Sequence, residues 1–126
     1  MSHCLKVILA AVFLLTLAPS THAAEECLRS GGSFKLTSPG PWVMTSVARA
    51  GQECRSYFRS YGQVIFKKLY LVSAPANGTV RLQSGGYYFY KPKAGFRGED
   101  RFALRICGSQ GGLDGCTDLA MKMTVQ

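Results

Sequence analysis

Residues Ser84–Phe102 read SGGYYFYKPKAGFRGEDRF, a stretch with six aromatic side chains and four glycines. Four of the aromatics, Tyr87 to Tyr90, are consecutive. In an extended strand successive side chains point to opposite faces, so residues two apart share one. Tyr88 and Tyr90 then lie together, and Tyr87 and Phe89 lie together opposite them. The run is two pairs on two faces and not one patch of four. One pair fills a core. The other is either covered, by the N-terminal segment or by cross-strand packing, or lies open. An open aromatic beside Arg or Lys can stack on a sugar or a base. A tyrosine at a core margin needs a partner for its hydroxyl, which loop backbone can supply.

Working outward, the same period of two recurs. In DRFALRIC, Phe102, Leu104 and Ile106 fall on one side and Arg101, Ala103 and Arg105 on the other, the pattern of a strand with one wet face. LAMKMTV sets Leu119, Met121, Met123 and Val125 against Ala120, Lys122 and Thr124. VIFKKLYLVSA, residues 64–74, reads as one long strand or two with a bulge. TVRLQ alternates between turns at Asn77-Gly78 and Ser84-Gly85-Gly86. Trp42–Ala48 is a further strand, and Phe34–Thr37 a brief one before a Pro-Gly-Pro break. RAGQECRSYFRSYGQ is ambiguous. Arg55 and Arg59, and Tyr57 and Tyr61, sit four apart, which suits a short helical turn; a loop fits equally. GSQGGLDG reads as a loop. The expectation is an all-β chain, an antiparallel β-sandwich of about seven strands, with a small barrel as the alternative.

The residues after Leu69 carry a resemblance. Pro75, Asn77, Gly78 and Thr79, then Tyr90 and Pro92, then Gly95, Phe96, Gly98, Asp100 and Phe102, followed by a closing MKMTV, are similar to the bacterial immunoglobulin-like, cadherin-like domains of secreted and surface proteins. The resemblance covers about Leu69 to Val125. It implies an immunoglobulin-like sandwich and a spacer, adhesive or structural role. The chemistry of the residues agrees with it. Gly95 and Gly98 allow positive φ, Phe96 can plug the end of the core, and Asp100 can accept backbone N–H bonds. That gives Asp100 a structural role and not a catalytic one. Members of the family usually stand in tandem arrays and are often acidic, unlike this basic chain. Asp100, Asp114 and Asp118 are too sparse for a calcium cage.

Composition bounds the rest. Residues 1–23 read as a secretory leader, a cleaved N-terminal signal helix. Lys6 precedes the apolar run VILAAVFLLTLA, and small residues lead to a cleavage site after Ala23. The apolar run is short for a membrane span, so no stable span is expected after cleavage. Residues 24–126 then form one domain, secreted or periplasmic. Four cysteines remain in it, and an exported context favours two disulfides. Of three possible pairings, Cys27–Cys54 and Cys107–Cys116 close local loops and are preferred. A zinc site is disfavoured, because no pair has zinc-knuckle spacing. Without Lys6, the 15 basic residues of the chain become 14 against 7 acidic ones, a net charge of +7.

Some chemistry is missing. His3 and His22 both lie in the leader, which leaves no imidazole for a nucleophile pair. Glu99 and Asp100 are adjacent and would point to opposite strand faces, so they do not flank one bond. No cofactor, metal or enzymatic activity is expected. The leading expectation is an exported, non-enzymatic module acting in binding, in adhesion or as part of the cell envelope. The alternative is a basic binding protein for an anionic polymer, acidic polysaccharide or nucleic acid. It would use Arg81, Arg101, Arg105 and Lys122 on outward strand faces, with Tyr87 and Phe89. A small enzyme, or an inhibitor of one, is the least supported. The partner, a protein or an anionic polymer, is not named by the sequence.

Overall fold

Among the described residues, nine strands form two sheets packed face to face. The computed structural model describes residues 11–12, 15–16 and 24–126; the expected leader otherwise lies outside the described residues. The strands are β1 (Glu25–Glu26), β2 (Leu28–Gly31), β3 (Trp42–Ala48), β4 (Cys54–Tyr57), β5 (Val64–Ser73), β6 (Gly78–Gln83), β7 (Tyr87–Pro92), β8 (Gly98–Gln110) and β9 (Leu113–Val125). One sheet has the order β1-β4-β7-β6 and the other β2-β3-β9-β8-β5. Pairing is antiparallel except at β1–β4 and β3–β9, which are parallel. The expected all-β, immunoglobulin-like sandwich is what forms. Among the described residues no helix is long and apolar enough to cross a membrane.

Three local expectations need correction. Phe34–Thr37 is not a strand; Leu36 and Thr37 sit in a turn. Leu36 is only 1% exposed, and its N–H donates to Gln110 Oε1 at 3.0 Å. One apolar side chain plugs the end of the core here, and the backbone is satisfied by a side chain instead of a ladder. Cys54–Tyr57 is a strand, not a helical turn or loop. It pairs with β7, Cys54 opposite Tyr90 and Tyr57 opposite Tyr87, so long-range pairing overrides the four-residue spacing. GSQGGLDG is not a loop. The long strands β8 and β9 run into it and leave only Gly111-Gly112 as the turn, both with positive φ, as a two-residue hairpin demands. With the new β1 and β2, these changes turn about seven strands into nine.

The core follows the alternation. Leu104, Ile106, Leu119, Met121, Met123 and Val125 all point inward, each no more than 3% exposed. From β7, Tyr88 and Tyr90 point inward and are wholly buried. Phe102 stacks on Tyr90 with ring centres 5.8 Å apart and meets Tyr88 edge-on at 5.9 Å. Each such apolar side chain contributes roughly 1.5–3 kcal/mol by leaving water.

Both preferred disulfides form. Cys27 lies where the chain passes from β1 in one sheet to β2 in the other, and its bond to Cys54 fixes that crossing. By loop-closure entropy it contributes about 3–4 kcal/mol. Cys107 and Cys116 are direct partners across β8 and β9, with Cα atoms 4.1 Å apart. They rivet a ladder instead of pinching a loop.

At the outer edge of the five-stranded sheet, β5 is ten residues long. Its register with β8 shifts twice, between Phe66 and Lys68 and between Leu71 and Ser73. Ile65, Tyr70, Leu71 and Val72 are exposed along it.

Candidate functional site

The residues of the sequence motif converge on one end of the sandwich. Tyr90 Oη donates to Asp100 Oδ2 at 2.8 Å, wholly inside the protein. Asp100 Oδ1 accepts the backbone N–H of Arg101 at 3.0 Å and of Asn77 at 3.3 Å. Asn77 O in turn accepts the N–H of Lys93 at 2.9 Å. A Cβ on Gly78 would lie 2.7 Å from Lys91 O and 2.8 Å from the Tyr90 ring, so glycine is required there by close approach. Pro75 and Pro92 are buried, Phe96 packs against the core, and Gly95 and Gly98 both take positive φ. Burial, then the bond to the Asp100 carboxylate, pushes the Tyr90 phenol far above its usual range. The partner of the Tyr90 hydroxyl is thus a carboxylate, not the loop backbone expected from sequence. These polar groups are spent on one another.

The six candidate binding residues are not brought together. Arg81, Tyr87 and Phe89 share the outer face of the four-stranded sheet. Arg101, Arg105 and Lys122 lie on the outer face of the five-stranded sheet, on the opposite side of the molecule. Phe89 is only 8% exposed, because the Arg81 guanidinium lies 3.7 Å from its ring centre. Tyr87 is half-buried against Tyr57, with ring centres 5.7 Å apart. The outward aromatic pair is covered by cross-strand packing. All four cations hold carboxylates: Arg81 on Glu53 at 3.0 Å, Arg105 on Asp118 at 2.7 Å, and Arg101 and Lys122 on Glu99 at 2.6 and 3.2 Å. The bonds from Arg101 and Lys122 hold the Glu99 carboxyl below its ordinary range, and the Arg105 bond does the same for Asp118. Such exposed pairs add little stability, but they neutralise the cations.

A different set of residues, missed in the sequence, surrounds an open groove. It has a volume of about 720 Å³ and opens beside β4, under the N-terminal crossing. Arg29, Arg55 and Arg59 line it together with Tyr57, Phe58 and Tyr61. The Arg29 side chain closes the gap between the sheets. Its Nε donates to Ser56 Oγ at 3.3 Å, its Nη2 donates to Tyr57 O, and its guanidinium lies 4.9 Å from the Phe58 ring centre. Arg55 lies over Tyr87 at 5.6 Å and Arg59 over Tyr57 at 5.7 Å. Among the described residues neither Arg55 nor Arg59 is paired with a carboxylate, and the buried Nε of Arg55 has no acceptor. The signal was present in the sequence as RSYFRSY, residues 55–61, where cation and ring alternate.

The second buried tyrosine of β7 packs behind Phe58, one of the residues that line this groove. Tyr88 stacks on Phe58 at 6.0 Å. Ser56 and Ser46 lie beside its hydroxyl, yet neither has hydrogen-bond geometry to it. Burial raises its pKa above the ordinary value. Among the described residues no group of three or more His, Cys, Asp or Glu side chains is placed to hold a metal.

Residues 60–117 match the family model described as Bacterial Ig domain. The match contains both buried tyrosines, Asn77 and Asp100, and stops short of Arg29, Arg55 and Arg59. No curated protein matches the chain.

Proposed function

The chain carries a bacterial immunoglobulin-like domain over residues 60–117, and from that premise we propose that it is an exported, non-catalytic module, secreted or periplasmic, that works by binding or as a structural part of the cell envelope. The observation that carries this reading is the use made of the motif. Tyr90, Asn77 and Asp100 are consumed in one buried network, so the polar residues that a site would need are holding the fold. Two disulfides support an oxidising compartment, and residues 1–23 have the composition of a cleaved leader.

Expression of the full chain in a bacterium, followed by fractionation, thiol alkylation and intact mass, tests the reading. The expected product is found outside the cytoplasm, lacks residues 1–23 and takes up no alkylating reagent until reduced. A cytoplasmic product of full length with free thiols overturns it.

Binding of an anionic polymer is a second reading, and one observation favours it. The net charge of the 24–126 segment is +7, and the positive charge that carboxylates leave uncompensated includes Arg55 and Arg59, which line one groove.

A further inference from the structure

Almost every carboxylate of residues 24–126 is used inside the protein, while several cations are left over. Of seven acidic side chains, Glu25, Glu53, Glu99, Asp114 and Asp118 hold basic partners. Asp100 is buried on Tyr90. Glu26 lies at the edge of the groove without a cation within pairing distance among the described residues. Of the arginines, only Arg29, Arg55, Arg59 and Arg97 have no carboxylate partner there. Three of those four line the same groove.

We propose that this groove binds a single carboxylated sugar unit, at the end of a glycan or within it, with Arg59 and Arg55 taking the carboxylate and Tyr57 and Tyr61 taking the faces of the ring. This deepens the binding side of the function proposed above. Guanidinium is planar and forked, and matches a carboxylate with two parallel N–H···O bonds. Arg59 is exposed, and the ring beneath it, Tyr57, is half-buried. Tyr61 is 61% exposed at the groove's edge. A pyranose presents C–H groups on its faces, which pack on a tyrosine ring, and in a uronic acid the carboxylate sits one bond from that ring. The groove offers a cation and a flat apolar surface at the same short separation. Its volume lies within the ordinary range for small-ligand sites.

Two other anionic partners fit less well. An acidic peptide adding itself as a strand needs a free backbone edge. Along β4 that edge is used: Arg55 O accepts the Cys27 N–H at 2.8 Å, and Tyr57 O accepts Arg29. A nucleic acid needs cations along several phosphates. Here Glu26 lines the groove itself, so the cations do not form a continuous track, and Arg81 is held by Glu53.

Calorimetric titration of the purified protein with a galacturonic acid trimer tests the proposal. A neutral galactose trimer, a DNA oligonucleotide and polyglutamate serve as comparisons. The uronate trimer is expected to bind at least about tenfold more tightly than the neutral trimer, the loss of a charge-assisted bond being worth that much or more. Arg59→Gln is expected to weaken it about tenfold, and Arg55→Lys to weaken it while keeping the charge. Arg101→Gln, on the opposite face, leaves affinity unchanged. Arg59 is exposed, so its replacement does not put folding at stake, and NMR shift changes confined to Tyr57 and Tyr61 locate the ligand. No binding of the uronate, equal weakening by Arg101→Gln, or tighter binding of DNA or polyglutamate overturns the proposal. Each of these results leaves export, read by fractionation, untouched.

Discussion

Tyr88 and Tyr90 stand two residues apart on one strand, point the same way and are equally buried, yet they close two ends of the sandwich differently. Around Tyr90 everything polar is answered. Its hydroxyl, the Asp100 carboxylate and two backbone N–H groups form one network, built wholly from residues 60–117. Around Tyr88, Phe102 belongs to that segment, but Phe58, Ser56 and Ser46 come from outside it, and the hydroxyl has no partner. The difference follows the border of the matched segment. Residues 60–117 build a sealed end; residues from before that segment build much of the other, and that is the end with the groove.

The contrast can be broken most forcefully at Tyr90. Tyr90→Phe leaves the Asp100 carboxylate buried without its hydroxyl donor, and should cost roughly 2–3 kcal/mol. Urea unfolding should show a lower midpoint at unchanged slope. A loss below about 0.5 kcal/mol would mean that the network does not hold this end.

Alkaline titration gives an intermediate effect that both tyrosines share. Each phenol is raised above its ordinary value of 10.0 in the folded protein, so above about pH 10 the unfolded chain releases protons that the folded one retains. Stability is therefore flat through neutral pH as far as these groups are concerned, and falls as pH rises past 10. The slope reaches at most about 1.4 kcal/mol per pH unit for each tyrosine. Unfolding free energy measured from pH 8 to 11.5 should show this bend, and Tyr90→Phe should remove one proton's worth of the slope.

The smallest effect is expected at Tyr88. Tyr88→Phe removes a buried hydroxyl that has no partner, so stability should change by less than about 0.5 kcal/mol or rise slightly. A loss like that of Tyr90→Phe would show that Ser56 or Ser46 bonds to it in solution, and the contrast would collapse.

How much of this was legible in the sequence follows the same division. The strands from β6 to β9 could be read because one face of each is wet and the alternation survives. The pairing of Tyr88 with Tyr90 was also readable, since period two fixes it. Which pair faced inward was not, because both pairs are aromatic. β4 was hidden, since Arg55–Tyr61 has helical spacing, and Cys54–Tyr57 becomes a strand only through β7 and the bond from Cys54 to Cys27. The charge pairs were illegible for a related reason. Arg105 meets Asp118, and Arg81 meets Glu53, only once strand register and loop position are set. That is why the four cations expected to bind are neutralised while Arg55 and Arg59 are not.

The two register shifts in β5 bear on how this protein shares space with its copies. A long, flat, apolar border invites neighbouring chains to extend the sheet into a fibre. Here the border is broken into short runs that do not lie in one line, with Lys68, which has no carboxylate partner among the described residues, at the first break. An incoming chain meets a jagged margin carrying positive charge, and crowding can bring many copies together without welding them.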